Sequence, residues 1–78
     1  MNYDLDKIDD MTLALMYLTT FDEEFGARSW KGHDWDTLAR LHQKGFIADP
    51  KGKAKSVFVT PKGKKRSEEL FERFFAKS

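Results

Sequence analysis

The 78-residue chain holds 40% hydrophobic and 14% aromatic residues, enough apolar material for one small core and too much for a disordered chain. It has no cysteine, which excludes disulfide staples and thiolate metal sites, and its longest apolar run, Leu13 to Leu18, is too short to span a bilayer. The formal charge of +1 hides an acidic front and a basic middle: residues 1–24 hold seven acids and one base, residues 25–66 eleven bases and three acids, a distribution that points to a charged partner or to attraction between the two blocks, within one molecule or between two.

In chain order, the start M-N-Y-D-L-D-K lacks the basic opening and apolar run of a secretory signal, so the expected compartment is the cytoplasm. Ile8, Met11, Ala14, Leu15 and Leu18 recur at spacings of three and four and predict a helix near residues 5–20. Asp4, Asp6, Asp9 and Asp10 sit at its front, where the helix dipole favours carboxylates. Phe21 to His33 is irregular and punctuated by Gly26 and Gly32. Within it, Ala27-Arg28-Ser29-Trp30 reads as a short strand, and Asp22 to Phe25 is the place for a helical turn, if the stretch has one.

Asp34 is a good N-cap for a second helix. Its apolar face is Trp35, Leu38 and Leu41, and Lys44-Gly45 stops it with a cation in the last turn and a glycine in the left-handed C′ position. Phe46-Ile47-Ala48 reads as a strand, Asp49 to Lys53 as a turn and Ser56 to Val59 as the returning strand. Thr60-Pro61 starts a last helix, with threonine as N-cap and proline at N1. Leu70, Phe71, Phe74 and Phe75 form its apolar stripe.

The order α-(β)-α-β-β-α predicts an α+β fold, a small winged-helix-like domain spanning residues 1–78 with a two- or three-stranded antiparallel sheet. A core this small favours oligomerisation. Three phrases, K-I-D-D-x-x-L-A-L-x-Y-L near the start, W-K-G-x-D-W-D at 30–36 and D-P-x-G-K-A-K-S-x-x-x-T at 49–60, resemble a family of small uncharacterised bacterial proteins, which carries no established activity. More loosely, L-x-x-K-G-F-I followed by V-T-P-K-G is similar to the recognition-helix, wing and final-helix segment of bacterial winged-helix regulators.

The basic middle supplies the candidate binding residues. Lys51, Lys53 and Lys55 line the expected hairpin tip, and Lys62, Lys64, Lys65 and Arg66 follow at the start of the last helix. Such a cluster suits a phosphate backbone, and equally a solvated loop whose lysines discourage edge-to-edge aggregation. On the second helix Arg40, Gln43 and Lys44 have base-reading chemistry, while Asp34 and Asp36 at its start would repel phosphate. Trp30 and Trp35 offer a stacking platform or, as the ordinary alternative, a core tryptophan with a loop pinned onto it. Phe71, Phe74 and Phe75 are the candidate interface for a homodimer or another protein. His33, Asp34, Asp36 and His42 have no metal-site spacing, and neither a nucleophile elbow nor a phosphate-cradling glycine loop is present. The expected protein is therefore not an enzyme and uses no cofactor or metal. Its expected partners are nucleic acid or a second copy, with no membrane partner.

Overall fold

Asp4 opens the first helix by accepting the Lys7 backbone N–H at 3.0 Å in a computed structural model that describes residues 2–77. Helix α1 runs Leu5–Leu18. It stops where the hydroxyls of Thr20 and Ser29 donate to the Met16 carbonyl at 2.7 and 2.9 Å, joined more loosely by Thr19 at 3.3 Å. These bonds satisfy a free carbonyl of the last turn and tie the end of α1 to the sheet.

The segment after α1 is a β-hairpin. Strand β1 is Thr20–Glu23 and strand β2 is Gly26–Trp30, antiparallel in the register Thr20 opposite Ser29 and Glu23 opposite Gly26. The turn thus occupies Glu24 and Phe25, and Gly26, at φ 140°, takes a backbone conformation open to glycine. No helical turn forms at Asp22 to Phe25; β1 fills that place.

Helix α2, Trp35–Gln43, is capped by Asp34, whose carboxylate accepts from both the N–H and the hydroxyl of Thr37 at 3.0 Å. Its end is a Schellman motif. Gly45, at φ 82°, donates to the His42 carbonyl at 3.0 Å, and Phe46 N–H donates to the Leu41 carbonyl at 3.0 Å. The stretch Phe46–Ala48 contributes a single bridge, Ile47 to Val59, supplemented by Ala48 N–H to the Phe58 carbonyl at 2.9 Å. It is an extended lead-in to the loop rather than a full strand.

Strand β3, Ser56–Val59, pairs antiparallel with β2, giving a three-stranded sheet in the order β1-β2-β3. Helix α3, Pro61–Phe75, begins with Thr60 as N-cap and Pro61 in its first turn. Thr60 Oγ1 accepts the Gly63 N–H at 2.9 Å and donates to the Gly45 carbonyl at 2.7 Å, so one hydroxyl joins the start of α3 to the end of α2.

The fold is α+β, three helices on one face of an open antiparallel sheet. Along β2 and β3, Ala27, Ser29, Val57 and Val59 are buried toward the helices. They join Leu13, Ala14, Met16, Leu38, Leu41, Ile47 and Leu70 in the core, with Phe46 packed against it. Four of these are fully buried leucines, each contributing about 1.5–3 kcal/mol relative to exposure. Gly63 is part of the packing. A Cβ there would collide with the Phe46 carbonyl oxygen and lie 2.7 Å from the carbonyl carbon, so α3 approaches that backbone only because residue 63 has no side chain.

Candidate functional site

The loop between Ala48 and Ser56 is built by short-range chemistry. Asp49 Oδ1 accepts the Lys51 N–H at 3.0 Å, an Asx turn. Pro50 is buried, and Gly52 has φ 130°. Lys31, directly after β2, reaches across and donates Nζ to the carbonyls of Pro50 and Gly52 at 2.7 and 3.1 Å, and its N–H donates to the Lys55 carbonyl at 3.1 Å. Lys31 therefore braces the loop from beneath. Lys51, Lys53 and Lys55 remain exposed. Among the described residues no ion pair holds their ammonium groups.

Beside this loop lies a groove of about 420 Å³. Helix α2 supplies Trp35, His42 and Gln43, and the loop supplies Asp49, Pro50 and Lys51. Trp35 is not core: it is 61% exposed. The buried line of α2 is Thr37, Leu38 and Leu41, and Trp35 falls outside it. Trp30 is half-exposed and lies across Gly32, where an added Cβ would collide with its indole Nε1. His42 Nδ1 sits 3.1 Å from the Ile47 carbonyl. A carbonyl can only accept, so this contact assigns the ring proton to Nδ1. Partial burial holds the His33 pKa below its ordinary value, and the Thr37 N–H and hydroxyl hold the Asp34 carboxyl below its own.

The other sequence-derived cations are placed differently. Arg40 turns inward: its Nε donates to both oxygens of the fully buried Asp9 at 2.8 and 3.0 Å, and its guanidinium also reaches the Thr37 hydroxyl at 3.1 Å. Lys44 bridges Asp9 and Asp6, 2.9 Å from each. These contacts, that to Asp9 first, raise the Lys44 pKa. Arg40 and Lys44 thus lock α2 onto α1 by satisfying a buried carboxylate, which is costly when left unpaired. Lys62 donates to the Lys44 carbonyl at 3.0 Å and sits over the Phe46 ring. Lys64 pairs with Asp22 at 2.7 Å, which raises its pKa. Gln43 and Lys65 are exposed.

Phe71 is partly buried, packed between Tyr17 and Phe75 with ring centroids 5.1 and 5.3 Å apart. Phe74 and Phe75 are exposed at the end of α3. Among the described residues no three His, Cys, Asp or Glu side chains come together as a metal cluster, and no helix is long and apolar enough to cross a membrane.

The sequence pointed to the lysines of the loop but not to Lys31 beneath them. The available signal was its place inside W-K-G, next to a tryptophan that needs the following glycine bare. It also did not separate Arg40 and Lys44 from the surface cations. Their spacing of four on one helix face, matched to Asp9 on the Leu13 and Met16 side of α1, was the signal for a shared buried partner.

No solved structure matches the chain. It is 51% identical over 77 residues to the uncharacterized protein y4hR of Sinorhizobium fredii, an alignment covering 99% of this chain and all of that one. The family model described as a domain of unknown function (DUF6429) matches residues 4–77, and the chain belongs to that family of small uncharacterised bacterial proteins.

Proposed function

We propose that this chain is a single non-catalytic, winged-helix-like domain of the cytoplasm that binds nucleic acid by gripping phosphates with Lys51, Lys53 and Lys55. One observation carries the reading: three exposed ammonium groups, without an ion-pair partner among the described residues, stand on a loop that Lys31 holds in shape. A loop kept solvated for solubility alone has no need of such a brace. Gln43, which lines the groove beside Lys51, extends the same surface as a polar contact, and Lys65 is an exposed cation on α3. Arg40, Lys44, Lys62 and Lys64 contribute to it indirectly, by fixing α2 and α3.

The test is fluorescence anisotropy with labelled oligonucleotides across a salt series. Three phosphate contacts predict a slope of log K on log salt of about −2 to −3. Changing Lys51, Lys53 and Lys55 together to Ala should remove most of that slope. Absence of any binding at about 20 mM salt, where phosphate contacts are strongest, would refute the reading.

A second reading is favoured by a different surface. Leu5, Ile8, Leu15 and Leu18 are exposed along α1, and Phe74 and Phe75 are exposed on α3. Such apolar surface suits a protein interface or pairing of two copies. Sedimentation at several concentrations tests it, and a monomer throughout would exclude pairing.

A further inference from the structure

The face of the sheet turned away from the helices carries an aromatic platform. Cross-strand register puts Phe21, Arg28 and Phe58 in one row across β1, β2 and β3, and Trp30 follows two residues along β2 opposite Ser56. Alternation along each strand sends these side chains to the side opposite Ala27, Ser29, Val57 and Val59. Phe21 is 46%, Trp30 49% and Phe58 38% exposed. Strand spacing makes the row about 10 Å wide, and Trp30 extends it by about 7 Å along β2.

Arg28 lies within this surface, over the Phe58 ring. Its guanidinium carbon is 4.4 Å from the Phe58 ring centroid, its Nε donates to Ser56 Oγ at 2.7 Å, and a terminal nitrogen donates to the Ser56 carbonyl at 2.7 Å. A guanidinium fixed in this way presents a flat cation among aromatic rings without further ordering on binding.

Charge gives the platform a direction. At the Trp30 end the chain passes directly into the lysine loop, since Lys31 N–H pairs with the Lys55 carbonyl. At the Phe21 end come Asp22, Glu23 and Glu24, with Glu23 on the outer face beside Phe21. A polyanion would be held at the first end and repelled at the second.

We infer that the outer sheet face stacks unpaired bases, and that the ligand class of this domain is single-stranded nucleic acid, with its phosphates on Lys51, Lys53 and Lys55 and two or three bases on Trp30, Phe58 and Phe21. This rests on the proposed phosphate-gripping role of the loop. Bases in a duplex are already stacked on one another and offer their edges, whereas unpaired bases offer their faces to aromatic side chains and to Arg. Aromatic residues on an open sheet face, bordered by cations at one end, have the chemistry for such a strand.

The experiment uses the full chain carrying Trp35→Phe, which leaves Trp30 as the sole tryptophan and the platform unaltered. Oligothymidylate of about a dozen nucleotides and a duplex of equal length are titrated at fixed low salt, with Trp30 emission and anisotropy read together. The single strand should quench Trp30 and bind at least tenfold more tightly than the duplex. Phe21→Ala with Phe58→Ala should weaken single-strand binding by about tenfold or more, the effect of losing base stacking, while leaving the salt slope in place. Phe21→Tyr with Phe58→Tyr keeps the rings and should retain binding.

Equal binding of both oligonucleotides without quenching, abolished by the three loop lysine changes, would overturn the inference and leave the loop reading standing. No binding of either oligonucleotide would overturn both. Conversion of a dimer to a monomer by the alanine pair, with oligonucleotide affinity unchanged, would make this face a contact between copies and would also overturn the inference.

Discussion

Arg40→Met separates the structural role of Arg40 from a base-reading one. Asp9 is fully buried and accepts from Arg40 at 2.8 and 3.0 Å and from Lys44 at 2.9 Å. Removing one partner from a buried ion pair costs about 3–5 kcal/mol, mostly for the charge left uncompensated. Here Lys44 still holds Asp9 Oδ2, so the expected loss is about 2–3 kcal/mol, against a total of about 4–12 kcal/mol for a chain of 78 residues. Asp9→Asn should cost less, about 1–2 kcal/mol, because the cations it releases are partly exposed and regain water. The combination Arg40→Met with Asp9→Leu should recover part of the loss, since an apolar pair needs no compensating charge.

Urea unfolding of the wild type, Arg40→Met, Asp9→Leu and their combination gives the cycle directly, with Asp9→Asn measured beside it, provided the m-values agree. A loss below about 1 kcal/mol for Arg40→Met, or additive effects in the cycle, would refute the argument. An affinity loss for nucleic acid at unchanged stability would return Arg40 to the binding surface.

Gly63→Ala gains about 1 kcal/mol of helix propensity, but its Cβ meets the Phe46 carbonyl, and that carbonyl is held by the Thr60 N–H at 3.0 Å. The collision therefore wins, and thermal unfolding should show Tm lowered by about 5–15 °C; a raised Tm would contradict the packing. The Lys44 pKa is held above its ordinary 10.5 by Asp9 and then Asp6. Its contribution is thus complete below about pH 10.5 and is lost as pH rises through the raised value. Urea midpoints from pH 9 to 12 should fall more steeply in the wild type than in Lys44→Met, and identical profiles would exclude the linkage.

The helices were legible because their ends are written in local chemistry. Asp34 and Thr60 cap as their side chains demand, Gly45 stops α2 in the left-handed conformation, and Pro61 starts α3. β3 was legible from its β-branched and aromatic residues, and β2 from the glycines that bracket Ala27–Trp30. β1 was not: Thr20–Glu23 is an edge strand with exposed Phe21, Asp22 and Glu23, and its sequence carries no buried alternation. Its evidence is the pairing with β2, a non-local fact. Phe46–Ala48 erred in the other direction. It has strand composition, but the contacts of Phe46 with Leu41 and Thr60 keep it to one bridge. Trp35 was expected in the core on spacing alone, yet the buried face of α2 runs through Thr37 instead. The loop lysines were readable as a candidate site, whereas the outer sheet platform depends on β1 and so could not be read.

The charge asymmetry of the sequence finds much of its explanation inside the molecule. Every ion pair among the described residues joins an acid from residues 1–24 to a base from residues 25–66: Asp9 with Arg40 and Lys44, Asp6 with Lys44, Asp22 with Lys64, and Asp10 with Arg66 at 4.0 Å. The acidic front is thus largely the counter-charge of α2 and of the start of α3, and a basic middle alone is a poor argument for a polyanionic partner. The cations that this pairing leaves over are the ones that bear on such a partner. Lys51, Lys53 and Lys55 stand clear of it on a braced loop, and Arg28 is held by a serine and a phenylalanine rather than by an acid. These four flank one end of the outer sheet face or lie within it. By matching Arg40, Lys44, Lys64 and Arg66 to acids and leaving Lys51, Lys53, Lys55 and Arg28 without one among the described residues, the fold keeps four cations on that side available to phosphate.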